Sequence, residues 1–119
     1  MSRLLVEIQC LPSPSGTPDD PHAHVEQAIA EIEHSGLTYE VGALGTTLEG
    51  EPDEVWPLLR RVHEACQTGG AESAVSIIKV HQAAPSGRTP GIDDLTHKFR
   101  AGDGPSGARS VDRGSVELS

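Results

Sequence analysis

The stretch Ser35–Gly50, SGLTYEVGALGTTLEG, decides the fold. It follows an apolar-periodic run that ends at Ile32 and reads as a helix end, a strand, a tight turn and a second strand. Gly36 suits the left-handed position just past a helix, because it has no Cβ to collide with the backbone there. Leu37, Tyr39 and Val41 alternate with Thr38 and Glu40, the period of two that marks a strand with one buried face. Gly42 interrupts the pattern, Leu44, Thr46 and Leu48 restart it, and Gly50-Glu51-Pro52 closes the ribbon and opens the next helix. The second strand groups Thr46, Thr47 and Glu49, donors and acceptors beside a glycine that permits close approach. Threonine is also a good strand former, which explains its presence with no ligand at all.

Outward from this ribbon the chain repeats itself. Upstream, Arg3–Cys10 reads as a strand with Leu4, Val6, Ile8 and Cys10 on one face and Leu5, Glu7 and Gln9 on the other. Four prolines, a glycine and two aspartates make Pro12–Pro21 a loop. Asp20 and Pro21 are placed to cap and begin a helix whose stripe is Val25, Ala28, Ile29 and Ile32. Downstream, Pro52 begins a second helix with Asp53 and Glu54 near the positive end of its dipole. Val55, Leu58, Leu59, Val62, Ala65 and Cys66 form its apolar band, and Gly69-Gly70 ends it. Ala74–His81 is a fourth strand, with Val75 and Ile77 on one face and Ile78 and Val80 on the other. Ile92–Arg100 reads as a short helix, and residues 101–119 as a flexible polar tail without the apolar surface to offset ordering.

The order strand, helix, strand, strand, helix, strand predicts an α+β domain over residues 1–100, a ferredoxin-like plait. Its antiparallel four-stranded sheet carries two helices on one face, with strands 1 and 3 central and a short C-terminal helix appended. Leu5, Ile78 and Val80 are assigned to the other, open face, where another chain or a terminal segment must cover them. They are therefore the expected oligomer interface.

The chain has 119 residues, a net charge of −9 and two cysteines. Thirteen acidic and four basic side chains precede residue 84, and five of each follow. The imbalance thus lies on the folded part, which repels phosphate backbones and argues against nucleic-acid binding. No stretch reads as a signal peptide or a membrane span, so no membrane partner is expected. Cys10 and Cys66 fall on apolar phases and read as reduced, buried thiols of a cytoplasmic protein.

No catalytic motif, metal site or cofactor site emerges. His22 and His24 are two apart and diverge on a helix start, so with Asp19 and Asp20 they read as solvated capping groups. His63, His81 and His97 have no partner at a relay or ligating spacing. Thr46, Thr47 and Glu49 remain as the ligand-binding candidates, with Tyr39 and Trp56 as stacking surfaces.

These residues, in order, resemble the small thiamine-binding-like family of ferredoxin-fold proteins. The pattern SGLxYxxxxxGTxxEG stands at Ser35, Gly36, Leu37, Tyr39, Gly45, Thr46, Glu49 and Gly50, followed by a D-E-V helix, His63-Glu64 and a strand ending I-K-V. The resemblance covers about residues 3–100. It implies non-enzymatic binding of thiamine or its hydroxymethylpyrimidine half, in support of uptake or salvage, and assembly into homodimers or homotetramers through open sheet faces. Carried onto the motif, it implies polar contacts from Thr46 and Glu49, with Thr47 beside them. The short basic stretch that the family carries after the fourth strand is reduced here to Arg88. The alternative reading is a structural or regulatory homo-oligomeric protein with no small-molecule site.

Overall fold

The computed structural model describes residues 2–100, so the polar tail read over 101–119 lies outside the described residues. Strands β1 (Leu4–Ser13), β2 (Thr38–Val41), β3 (Thr46–Gly50) and β4 (Ser73–His81) form one sheet in the order β2-β3-β1-β4. Every neighbouring pair is antiparallel. Helices α1 (Ala23–His34) and α2 (Pro52–Thr68) join β1 to β2 and β3 to β4. This is the ferredoxin-like plait, with β1 and β3 central. A short α3 (Ile92–Thr96) and a 3₁₀ turn at His97–Phe99 follow β4. No helix among the described residues is long and apolar enough to cross a membrane.

Alternation builds the core. Leu4, Val6 and Ile8 of β1 and Leu48 of β3 are nearly inaccessible, and they meet Ala28 and Ile32 of α1 and Val55, Leu58, Leu59, Val62 and Cys66 of α2. Gly36 takes φ +80° just beyond α1, as its place in the sequence requires. Pro52 opens α2, and the helix runs from there to Thr68 with Pro57 inside it.

Helix α1 starts later than expected, with His22 at its N-cap and no side-chain cap. Asp20 is held in a turn instead: its N–H donates to the Thr17 carbonyl at 3.1 Å and its carbonyl accepts from the N–H groups of Thr17 and Ala23. His24, read as solvated, is buried, and its Nδ1 lies 2.7 Å from the Pro14 carbonyl, tying the loop to the helix.

The face assigned to Ile78 and Val80 also needs correction. Residues directly opposite on neighbouring strands share a face. Ile78 pairs with Ile8 and Val80 with Val6, so both lie on the helix side, where they are 40% and 41% exposed. The open face carries Leu5, Gln9 and Leu11 of β1 opposite His81, Ile77 and Val75 of β4. Leu5 therefore does not share a face with Ile78 and Val80.

Candidate functional site

On the helix side, a cavity of about 400 Å³ lies between α1, the far half of β1 and the β2–β3 turn. Its volume is within the range of about 300–1,000 Å³ typical of small-molecule sites. The cause is local. Ala28 and Ile32 of α1 pack fully, whereas Val25 and Ile29 are only half-buried and line the space, and the turn over Gly42, Ala43 and Gly45 brings little side-chain bulk to fill it. That turn is closed by a 2.9 Å hydrogen bond from the Gly42 N–H to the Gly45 carbonyl. No Asp, Glu, Lys or Arg lines the cavity; His22 is its one imidazole.

Thr46 supplies the cavity's hydroxyl from the first residue of β3. The residue is 4% exposed, and its side chain has no hydrogen-bond partner among the described residues. The hydroxyl itself opens onto the cavity, so it is free to pair with a ligand or water there.

The other residues singled out from the sequence are not brought to this cavity. Thr47 and Glu49 follow the strand alternation onto the opposite face of the sheet. Thr47 lines a second groove of about 320 Å³ between the sheet and α3, together with Leu5, Lys79, His81 and Leu95, and Lys79 there is bridged to Glu7 at 3.3 Å. Tyr39 pairs with Leu48 across the strands and packs against the core. Trp56 stands half exposed on α2.

Glu49 has protein partners. Its carboxylate accepts the Ile92 N–H at 2.8 Å and lies 3.6 Å from the Arg3 guanidinium. A Cβ at Gly91 would approach that carboxylate to 2.9 Å, so a larger residue there would displace it. Asp94 completes the start of α3 by accepting the Gly91 N–H at 2.8 Å, and this bond, then the one from Arg88, holds its carboxyl below the usual range. A lowered folded-state pKa stabilises above the unfolded value and is lost as pH falls through the folded one, so acid loosens this segment.

Replacing Glu49 with alanine is expected to destabilise the docking of α3 by about 1.5–3 kcal/mol, the range for a hydrogen bond to a charged group. Amide exchange should quicken across residues 92–96. A variant that keeps this protection but loses ligand affinity would instead make the carboxylate a binding group.

Burial raises the thiols of Cys10, which lines the cavity, and of Cys66, the latter to about 12 with a contribution from Cys10. His63 bonds Ser76 at 2.6 Å on the helix side, so it is not joined to Glu49 as a catalytic pair would be. No group of three or more His, Cys, Asp or Glu side chains among the described residues is arranged to hold a metal.

Residues 6–95 match the family model described as thiamine-binding protein, well over half of the chain. A UPF0045 protein of Clostridium perfringens is 36% identical over 56 residues, which are 47% of this chain and 59% of that relative's length. Among solved structures, a domain of unknown function (DUF77) from Bacillus cereus superposes with a TM-score of 0.71 at 34% identity, covering 83% of this chain and 91% of that one. A Thermotoga maritima protein named for a proposed role in thiamine biosynthesis or salvage superposes with a TM-score of 0.67 at 24% identity, covering 82% and 99%. That last likeness is one of fold.

Proposed function

The chain belongs to the thiamine-binding protein family, and from that premise we propose that it binds the hydroxymethylpyrimidine half of thiamine, free or within thiamine, in the helix-side cavity. The observation that carries this reading is the Thr46 hydroxyl, which lines a cavity of about 400 Å³ and has no hydrogen-bond partner among the described residues. A planar aminopyrimidine offers apolar faces to Val25 and Ile29 and an amino or hydroxyl group to Thr46. The uncharged lining favours that ring over the cationic thiazolium, which in intact thiamine extends outward toward the acidic surface. A pyrophosphate ester finds no cation in the cavity. The role is binding without turnover, in thiamine uptake or salvage, by a cytoplasmic protein whose binding unit is residues 1–100.

Isothermal titration of the full chain should give a micromolar or tighter affinity for hydroxymethylpyrimidine or thiamine and markedly weaker binding of thiamine diphosphate. The tighter ligand should also raise the melting temperature by mass action. Absence of heat and of thermal stabilisation at millimolar excess of all three would overturn the reading.

A second reading, a homo-oligomeric protein without a ligand, is favoured by the exposed strip of Leu11, Val75 and Ile77 on the open face, 46%, 60% and 48% accessible. Homodimers or homotetramers would cover it, and such assembly is compatible with ligand binding as well. Light scattering should then return a multiple of the 12.5 kDa chain mass. Ile77→Lys should shift the population toward monomer.

A further inference from the structure

The side chains around the helix-side cavity fall into two sets by exposure. Ile8, Ala28, Ile32 and Val62 are nearly inaccessible and form its inner end with Thr46. Leu11 and Leu44 are exposed and rim its mouth together with the half-buried His22. His22 has no side-chain task in the fold. As the N-cap of α1 its carbonyl accepts the Glu26 N–H at 2.9 Å, but its side chain caps nothing. Its imidazole has no hydrogen bond or ion pair among the described residues. The other polar side chains at the cavity are committed elsewhere. Cys10 accepts from the Ser76 hydroxyl at 3.8 Å, and Gln9, opposite Ile77, belongs to the open face. A ligand is therefore left with two polar side chains, a hydroxyl at the inner end and an imidazole at the mouth.

We propose that His22 is the specificity-determining residue of this site and selects the free pyrimidine alcohol over intact thiamine. The proposal rests on the binding reading above and names which of its two ligands the cavity takes. In that reading the thiazolium of thiamine extends outward, so the carbon that joins it to the pyrimidine lies at the mouth, beside His22. In the free alcohol this carbon bears a hydroxyl, one donor and acceptor facing an imidazole that also offers both. In thiamine the same carbon is bonded to the thiazolium nitrogen and has no hydrogen bond to give. The imidazole then loses its partner under the apolar rim of Leu11 and Leu44. A site built to pair with a hydroxyl discriminates against the analogue that lacks it. Because the mouth is partly open to water, the discrimination is that of one neutral hydrogen bond and not of a fully buried one. The net charge of −9 attracts the thiazolium, but salt screens exposed charges over roughly 8 Å at physiological ionic strength, so the direct contact decides.

The test is calorimetry on the full chain at physiological ionic strength with three probes: hydroxymethylpyrimidine, its analogue with methyl in place of hydroxymethyl, and thiamine. The wild-type chain should bind the alcohol about three- to tenfold more tightly than either other probe. His22→Phe keeps a ring at the mouth and removes both nitrogens. It should bind the alcohol no better than the methyl analogue, with its affinity for the methyl analogue unchanged. His22→Gln retains a donor and an acceptor and should keep a preference for the alcohol. Should His22→Phe fail to fold, the wild-type ratios and His22→Gln decide the question. Wild-type affinity for the alcohol equal to that for the methyl analogue or thiamine would overturn this proposal and leave the binding reading standing. So would a preference that survives in His22→Phe, or an equal loss for all three probes there, which would make the residue structural. No binding of any probe by the wild-type chain would overturn both readings.

Discussion

Leu48→Ala is expected to lower the stability of the domain by about 3 kcal/mol, within the range of roughly 2–5 kcal/mol for such truncations in packed cores. Leu48 is 0% exposed at the middle of β3, paired with Val6 on one side and Tyr39 on the other. Its side chain points into the layer where both helices meet the sheet, so the space it vacates is walled by β1, α1 and α2. Those walls are themselves hydrogen-bonded elements that relax only in part, which adds a cavity term to the lost transfer energy. For a domain of this size each kcal/mol moves the melting midpoint by roughly 4–8 °C, so a fall of about 10 °C or more is expected. Leu95, half exposed on α3, is the control: its truncation should shift the midpoint far less. Equal shifts for the two variants would mean that the core does not lie on the helix side of β3.

The element order, the central positions of β1 and β3 and the helix breaks at Gly36 and Gly69-Gly70 were legible because periodicity and backbone chemistry agree there. Strand β4 was harder. SAVSIIKVH carries aliphatics on both parities, so its pattern fixes which residues share a face but not which face meets the helices. That choice depends on the register with β1, where Ser76 rather than an aliphatic points inward opposite Cys10, because His63 satisfies its hydroxyl. The start of α1 was misjudged for a related reason. Asp20 has good capping chemistry, but Thr17 competes for its backbone and wins locally.

The candidate site was legible only in part. The TTLEG segment drew notice through its polar groups, yet adjacent residues of a strand face opposite ways, so Thr46 was bound to part from Thr47 and Glu49. The partner of Glu49 is the backbone of Ile92, 43 residues on, and a main-chain donor has no signature in a sequence. The cavity beside Thr46 depends on what is absent, bulk at Gly42, Ala43 and Gly45, which a reading by side-chain chemistry passes over.

Thr46→Leu is expected to abolish measurable ligand binding while leaving the melting temperature of the free protein close to wild type or slightly higher. Leucine removes the hydroxyl and extends apolar carbon into space that is already open, so it displaces no packed atoms. Thr46→Val separates the two effects. It keeps the shape and loses only the hydrogen bond, for which an affinity loss of roughly three- to tenfold is expected. Calorimetry and thermal melts on the three proteins provide the check. Unchanged affinity in Thr46→Leu would place the ligand elsewhere.

The most direct measurement of where the ligand sits is a titration of ¹⁵N-labelled protein with hydroxymethylpyrimidine, followed by amide chemical shifts. The expected result is a saturable set of shifts centred on Thr46, Cys10, Val25, Ile29 and the Gly42–Gly45 turn, with Thr47, Lys79 and the α3 segment little affected. Saturable shifts centred instead on the open face, at Thr47, Lys79 and Leu95, would contradict the assignment of the helix-side cavity as the binding site.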